Sequence, residues 1–317
     1  MKYTFNIFFK NFNIYALAFI FTISLISCHR TDIIVDDFDI PGLGGTEEVE
    51  NELDKWLYEN FTKPYNIEVV YRWDAAQMYG NLDSKLVPID YNQVKPMMAA
   101  VRDVWFKPFN NVLGSQDFIK NIAPKKIVLV GSPEYVNGAI KLGQAEGGRK
   151  ILLLNANAFD AKDEIELKTT METIIHEFAH ILHQTIMYDK SYQNVSVGFY
   201  DATGWHITQP NGILYAYERG FITKYAMSAH EEDFVEMFAL IMIRGLEWYN
   251  NEVIANAKRS KITDAVGALE KKLVILEDYM KTAWNIQMFD NPLTGKKGLE
   301  SYMQEAMKNV QITPPTE

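Results

Sequence analysis

The chain has 317 residues, 48% of them hydrophobic and 23% charged, with a formal net charge of −10. Length and apolar content allow one large domain or two small ones around a packed core. The acidic balance and the lack of any Lys/Arg run exclude nucleic acid as a partner class, and the single cysteine, Cys28, excludes an intramolecular disulfide.

Lys2 and Lys10 precede a nearly uncharged apolar stretch from Ile14 to Ile26. That length suits the apolar region of a signal peptide and is short for a membrane span. It ends in Leu25-Ile26-Ser27-Cys28, which resembles a bacterial lipobox. Cleavage before Cys28 would free its sulfur and amino group for acylation, and two or three acyl chains anchor a protein stably. Asp32, Asp36, Asp37 and Asp39, followed by Pro41-Gly42-Leu43-Gly44-Gly45, read as a flexible tether. The expected organisation is a signal peptide (1–27), a tether (28–48), a folded domain (49–311) and a short tail (312–317).

Thr46, followed by Glu47, Glu48 and Glu50, predicts a helix start with Val49, Leu53, Trp56 and Leu57 on one face. Ile67 to Trp73 is β-rich, and Val94 to Phe106 has helical periodicity after a break near Pro88. Lys126 to Val130 and Ile151 to Leu154 are short apolar runs bounded by Gly, Pro and Asn, the pattern of strands, and the second is expected at a sheet edge where an extended substrate would pair with it. Between them, Leu142-Gly143-Gln144-Ala145-Glu146-Gly147-Gly148-Arg149 is Gly-rich. It has no Gly-Lys-Ser/Thr and no following helix, so a hairpin-like connection is expected rather than a phosphate loop. From Lys168 the pattern is mainly helical, interrupted by a long loop from about Tyr188 to Gly212. This order predicts an α+β fold: a small mixed sheet up to about residue 165, a helical half after it and a cleft between them.

Thr169 and Glu172 have capping-box spacing ahead of His176-Glu177-Phe178-Ala179-His180. Residues four apart on a helix differ by about 40° in direction, so His176 and His180 offer two imidazoles to one ion, as Zn²⁺ requires. Glu177 points about 100° away, near the metal but off it, where it can act as general base toward water. A catalytic zinc takes three protein ligands and keeps one open position, so a third ligand is needed. His183 shares the face but lies about 10 Å along the axis from His176; His206, in the long loop, remains open. A metzincin needs Gly and His where this chain has His183 and Ile186.

The stronger source of a third ligand is Ser228-Ala229-His230-Glu231-Glu232-Asp233-Phe234-Val235-Glu236-Met237-Phe238-Ala239. Ser228 and Glu231 form a second capping-box pair, and Gly245 is a plausible stop. Glu232 and Glu236 share a face; one can bind the metal while the other accepts the free N–H of a ligating histidine.

These segments resemble the gluzincin clan of zincin-like metallopeptidases, whose third ligand is a glutamate on a later helix. Glu232-Asp233-Phe234-Val235-Glu236-Met237-Phe238 looks like the Glu-x-Phe-Ala-Glu-x-Phe stretch of lethal-factor-type peptidases. That resemblance implies Glu232 as the ligand and Glu236 as its support. It also implies a catalytic role for Tyr225, seven residues before the ligand, as a donor to the oxyanion. With Tyr71-Arg72-Trp73-Asp74, Val128-Leu129-Val130-Gly131-Ser132, Leu142-Gly143 and Gly220-Phe221, the chain is similar to import-associated zinc metallohydrolase lipoproteins. The similarity implies one Zn²⁺ per chain, a peptide or protein substrate and an outer-membrane address in the bacterial envelope. It also implies a TonB-dependent importer and its surface lipoprotein as partners. Two other readings compete: a surface binding lipoprotein with a structural or vestigial zinc site, and a zinc enzyme acting on non-peptide amides or esters.

Overall fold

Asn51 caps the first helix among the described residues. Its side chain accepts from the Asp54 N–H while Asp54 accepts from the Asn51 N–H, a reciprocal cap for helix α1 (Glu52–Leu57). A computed structural model describes residues 51–74, 85–136, 139–207 and 212–312, all within the compact unit Glu50–Glu317. The leader, Cys28, the tether and the helix start expected at Thr46 lie outside the described residues. Tyr71 and Arg72 both bond Asp54, at 2.7 and 2.6 Å, tying the chain after the first strand to the base of α1.

Four strands make the main sheet: β1 (Glu68–Val70), β2 (Lys126–Leu129), β5 (Gly143–Glu146) and β6 (Lys150–Leu153), in the order β1-β2-β6-β5. The first three run parallel, and β5 joins β6 antiparallel. The Gly-rich segment is thus a hairpin, but half of it is itself a strand. This corrects the edge strand expected near Ile151 to Leu154: that run is interior, between β2 and β5, and β5 lies at the edge on that side. A separate antiparallel hairpin, β3 (Glu134–Val136) with β4 (Ala139–Lys141), lies between β2 and β5 in the chain. Period-two alternation sends Ile127, Leu129, Ile151 and Leu153 into the main core, while Val128, Val130, Leu152 and Leu154 pack with Leu86 on the other face.

Helix α2 (Tyr91–Val101) precedes β2 in the chain and buries Val94, Met97, Met98 and Val101. Helix α3 (Glu164–Thr185) buries Leu167, Met171, Ile174, Ile175, Phe178 and Leu182 on one face. The opposite face carries Thr169, Thr173, His176, Glu177, His180 and Gln184 into a cleft. It starts five residues before the expected Thr169, because the Asp163 carboxylate already accepts from the Ile165 and Glu166 N–H groups. Helix α4 (His230–Arg244) ends at Gly245 as expected. Its start differs from the Ser228–Glu231 box: Ser228 closes the preceding turn on the Tyr225 carbonyl, and Glu231 pairs with His230 at 2.8 Å. Ala229 therefore occupies the cap without a side-chain bond. Two further helices, α5 (Ala265–Trp284) and α6 (Leu299–Ile312), pack against α4. Among the described residues, no helix is long and apolar enough to cross a membrane.

The stretch from Tyr188 to Gly212 is less open than a simple loop. It holds a short helix (Ser191–Val195), and Tyr188 and Tyr192 are buried against Phe234 of α4.

Candidate metal centre

Helices α3 and α4 pack antiparallel, which brings His180 and His176 to Glu232, His176 to Glu236, and Glu172 to Arg244. On α4 the residues facing the cleft form the stripe Glu232, Glu236, Leu240 and Arg244, one every four positions. Arg244 grips Glu172 with two bonds of 2.5 and 2.8 Å and clamps the helices at one end of the cleft.

The three candidate ligand atoms form a nearly equilateral triangle. His176 Nε2 and His180 Nε2 are 3.2 Å apart, and Glu232 Oε2 lies 3.2 and 3.3 Å from them. A tetrahedral ion with bonds of about 2.0–2.1 Å keeps its ligands about 3.3–3.4 Å apart, so these donors fit zinc. Glu232 Oε2 is fully buried, and despite its closeness to both rings it accepts no aligned hydrogen bond. A buried acceptor in that condition is costly unless a cation faces it. Among the described residues this is the group of histidines and carboxylates that could hold a metal.

Each ring is held from behind. Glu236 Oε1 lies 2.8 Å from His176 Nδ1, and its other oxygen accepts from Thr223 Oγ1 at 2.7 Å. Thr223 Oγ1 in turn accepts from the Ala226 N–H at 2.9 Å, linking Glu236 to the turn that carries Tyr225. Such a partner fixes the ring and its tautomer. His183, open as a ligand in the sequence, instead sits behind His180, with 3.0 Å between its Nε2 and His180 Nδ1. Burial, aided by the neighbouring His180, holds His183 down to about 4. His206 lines the cleft wall beside Trp205 and is outside the metal-binding group.

Glu177 lies beside the triangle, as its spacing requires. Its Oε2 accepts from the Ala145 N–H of β5 at 2.6 Å, leaving Oε1 without a protein hydrogen bond among the described residues. This approach of strand to helix depends on Gly143: a Cβ there would stand 2.6 Å from Thr173 Cγ2 and 3.1 Å from Glu177 Cγ. Tyr225 stacks on His176 with centroids 5.9 Å apart, and Trp205 meets it edge-on at 4.9 Å. Burial and the Glu232 carboxylate push its phenol well above the ordinary range, so it remains a donor. Trp205, Thr203 and Ala202 place the long connection on one wall of a cleft of about 1100 Å³, with Ile140 to Ala145 on another.

A buried ion pair anchors the ligand helix. Asp233, next to Glu232, meets Lys272 of α5 at 2.6 Å, and Tyr200 donates to Asp233 at 2.9 Å. Lys272 also donates to the Gly220 carbonyl at 2.7 Å and lies 4.0 Å from the Phe221 ring centroid. Gly220, at φ +77°, has no room for a Cβ, which would stand 2.8 Å from that of Ala268. Asp233, Lys272 and Thr223 were not singled out from sequence. Asp233 reads as one of three acidic residues in the first turn of α4, and nothing in the sequence marked it, Lys272 or Thr223 as partners of the site.

The electrostatics predict a pH-dependent affinity. Burial opposes charge on His176, but the Glu232 and Glu236 carboxylates outweigh it and push the ring from 6.5 up to about 10. A cation must displace that proton. Between about pH 6.5 and 10, zinc uptake is expected to release one proton per ion, with apparent affinity rising about tenfold per pH unit. Competition titrations against a chelator of known pH dependence check this; a flat profile contradicts it. For the metal-free fold the sign is opposite. The raised value contributes stability fully below about 6.5, and that contribution is lost as pH climbs through about 10.

Comparison with known proteins agrees with this geometry. Residues 46–289 match the model of a family described as putative zinc-binding metallo-peptidase. The crystal structure of a putative zinc-binding metallo-peptidase from Bacteroides caccae is similar, with 28% identity and a TM-score of 0.63 over 84% of this chain and 94% of that one. No curated protein matches. With the family model covering well over half of its length, the chain belongs to the putative zinc-binding metallo-peptidase family.

Proposed function

We propose that the protein is a lipid-anchored, zinc-dependent hydrolase of gluzincin type that cleaves peptide bonds in an extended substrate. His176, His180 and Glu232 hold one zinc per chain, and the observation that carries this reading is their triangle of ligand atoms 3.2–3.3 Å apart. Zinc bound there supplies Lewis acidity toward water and an amide carbonyl.

The chain's own residues supply the rest. Glu177 Oε1 takes a proton from the attacking water and returns it to the departing amine as the carbon–nitrogen bond breaks. Its other oxygen, held by Ala145, keeps the carboxylate in place through both transfers. The Tyr225 phenol donates to the oxyanion that forms at the carbonyl. Strand β5 pairs with another strand on one side only and lines the cleft, which suits a substrate strand that adds to the sheet. The binding-protein alternative needs a site closed by a fourth protein ligand. Hydrolysis is favoured over it because His183 is engaged behind His180 and His206 lies outside the metal-binding group.

The anchor at Cys28, the outer-membrane address and association with a TonB-dependent importer and its surface lipoprotein belong to the same proposal and rest on the sequence resemblance. A peptide-library cleavage assay tests the activity. Cleavage is expected that a chelator abolishes and added zinc restores. Cleavage indifferent to the chelator sinks the metal mechanism, and zinc-loaded protein inert across the library favours the binding alternative. Incorporation of labelled fatty acid, abolished by Cys28→Ser, checks the anchor.

A further inference from the structure

Among the described residues the buried polar side chains are Glu134, His183, Ser196, Asp233 and Lys272. His183 is the one of these that touches a candidate zinc ligand. It sits three residues beyond His180 on α3, so the helix brings both rings to one side. Its ring lies against Tyr188 and Phe234, at centroid distances of 5.8 and 6.4 Å, and those two rings stack on each other at 4.1 Å. This aromatic packing leaves His183 only 5% exposed.

The direction of the His180–His183 bond follows from the ligand set. His180 presents Nε2 to the triangle, so a neutral ring must carry its proton on Nδ1. That N–H then donates to His183 Nε2, 3.0 Å away, and His183 carries its own proton on Nδ1. The opposite tautomer would put a proton on His180 Nε2 and remove a metal ligand. His176 is braced by a carboxylate and His180 by a neutral imidazole. A second bracing carboxylate would add another buried negative charge beside Glu232 and Glu236, with its own desolvation cost.

We propose that His183 is a positioning residue of the metal centre, whose bare Nε2 accepts the His180 Nδ1–H and thereby fixes which ring nitrogen His180 offers to zinc. The inference rests on the zinc reading above and deepens it. Its test compares the full-length wild type with His183→Gln, which keeps an acceptor, and with His183→Leu and His183→Met, which do not. Zinc affinity is measured by chelator competition, Co²⁺ uptake by visible absorption, and the fold by melting of the metal-free protein.

Zinc affinity is expected to fall about 10–100-fold in the apolar variants and to stay near wild type in His183→Gln. The Co²⁺ spectrum should shift in the apolar variants alone. Apolar variants that bind zinc as tightly as wild type overturn the proposal. So does a loss in His183→Gln equal to theirs, which would mark a packing role. If neither apolar variant folds, His183→Gln decides, since wild-type affinity and spectrum support the acceptor role and a loss of either overturns it. Failure of the wild type to bind zinc overturns both this inference and the metal reading, and is recognised because it precedes any effect of His183.

Discussion

Glu177→Gln is expected to retain zinc at wild-type affinity and to lose turnover by about 10²–10⁴-fold, the span of general-base catalysis. The amide cannot take a proton from water at neutral pH, yet its carbonyl oxygen can still accept from the Ala145 N–H that holds the carboxylate now. Strand β5 and the cleft should therefore keep their shape. The decisive comparison pairs kcat with metal content. His176→Ala should empty the site, whereas Glu177→Gln should leave it full and inactive. A Glu177→Gln protein cleaving at the wild-type rate would end the hydrolytic mechanism proposed for this residue.

Lys272→Met should destabilise the fold by about 3–5 kcal/mol, because it leaves the fully buried Asp233 carboxylate without its ammonium partner. Burial pushes Asp233 up and Lys272 down, and their 2.6 Å contact offsets part of both costs. For a unit of this size such a loss lowers Tm by roughly 6–20 °C. Adding Asp233→Asn to Lys272→Met should recover part of the loss, since the stranded charge goes with its partner. Because Asp233 adjoins Glu232, zinc affinity should fall along with Tm and recover in the double variant. Thermal melts and metal titrations on the same samples check both. An unchanged Tm would show that the pair contributes nothing to the fold.

The metal-binding motif was legible because its geometry is local. His176, Glu177 and His180 occupy one helix, and helical spacing alone sets which sides they face. Glu232 and Glu236 were legible as a pair for the same reason, and the roles expected of them came from resemblance. The hairpin at Gly147 and the helix stop at Gly245 were equally local. Helix starts were less secure. Thr169 and Ser228 had the right spacing to a glutamate, but Asp163 caps α3 more than a turn earlier, and Ser228 is consumed by the turn before α4.

By itself, the sequence determined the mixed class of the fold, the paired imidazoles, the glutamate beside them and the acidic pair on a second helix. These follow from periodicities of two and about 3.6 residues, which act over one or two turns of chain. Tertiary structure decided that β5 and not β6 lies at a sheet edge, that His183 stands behind His180 and outside the candidate ligand group, and that Thr223, Ala145 and Lys272 support the site. Each of those depends on a partner distant in sequence or on the order of strands in the sheet. The hydrogen bonds and ion pairs responsible exist only once packing has excluded water from between the partners, a condition no local pattern encodes.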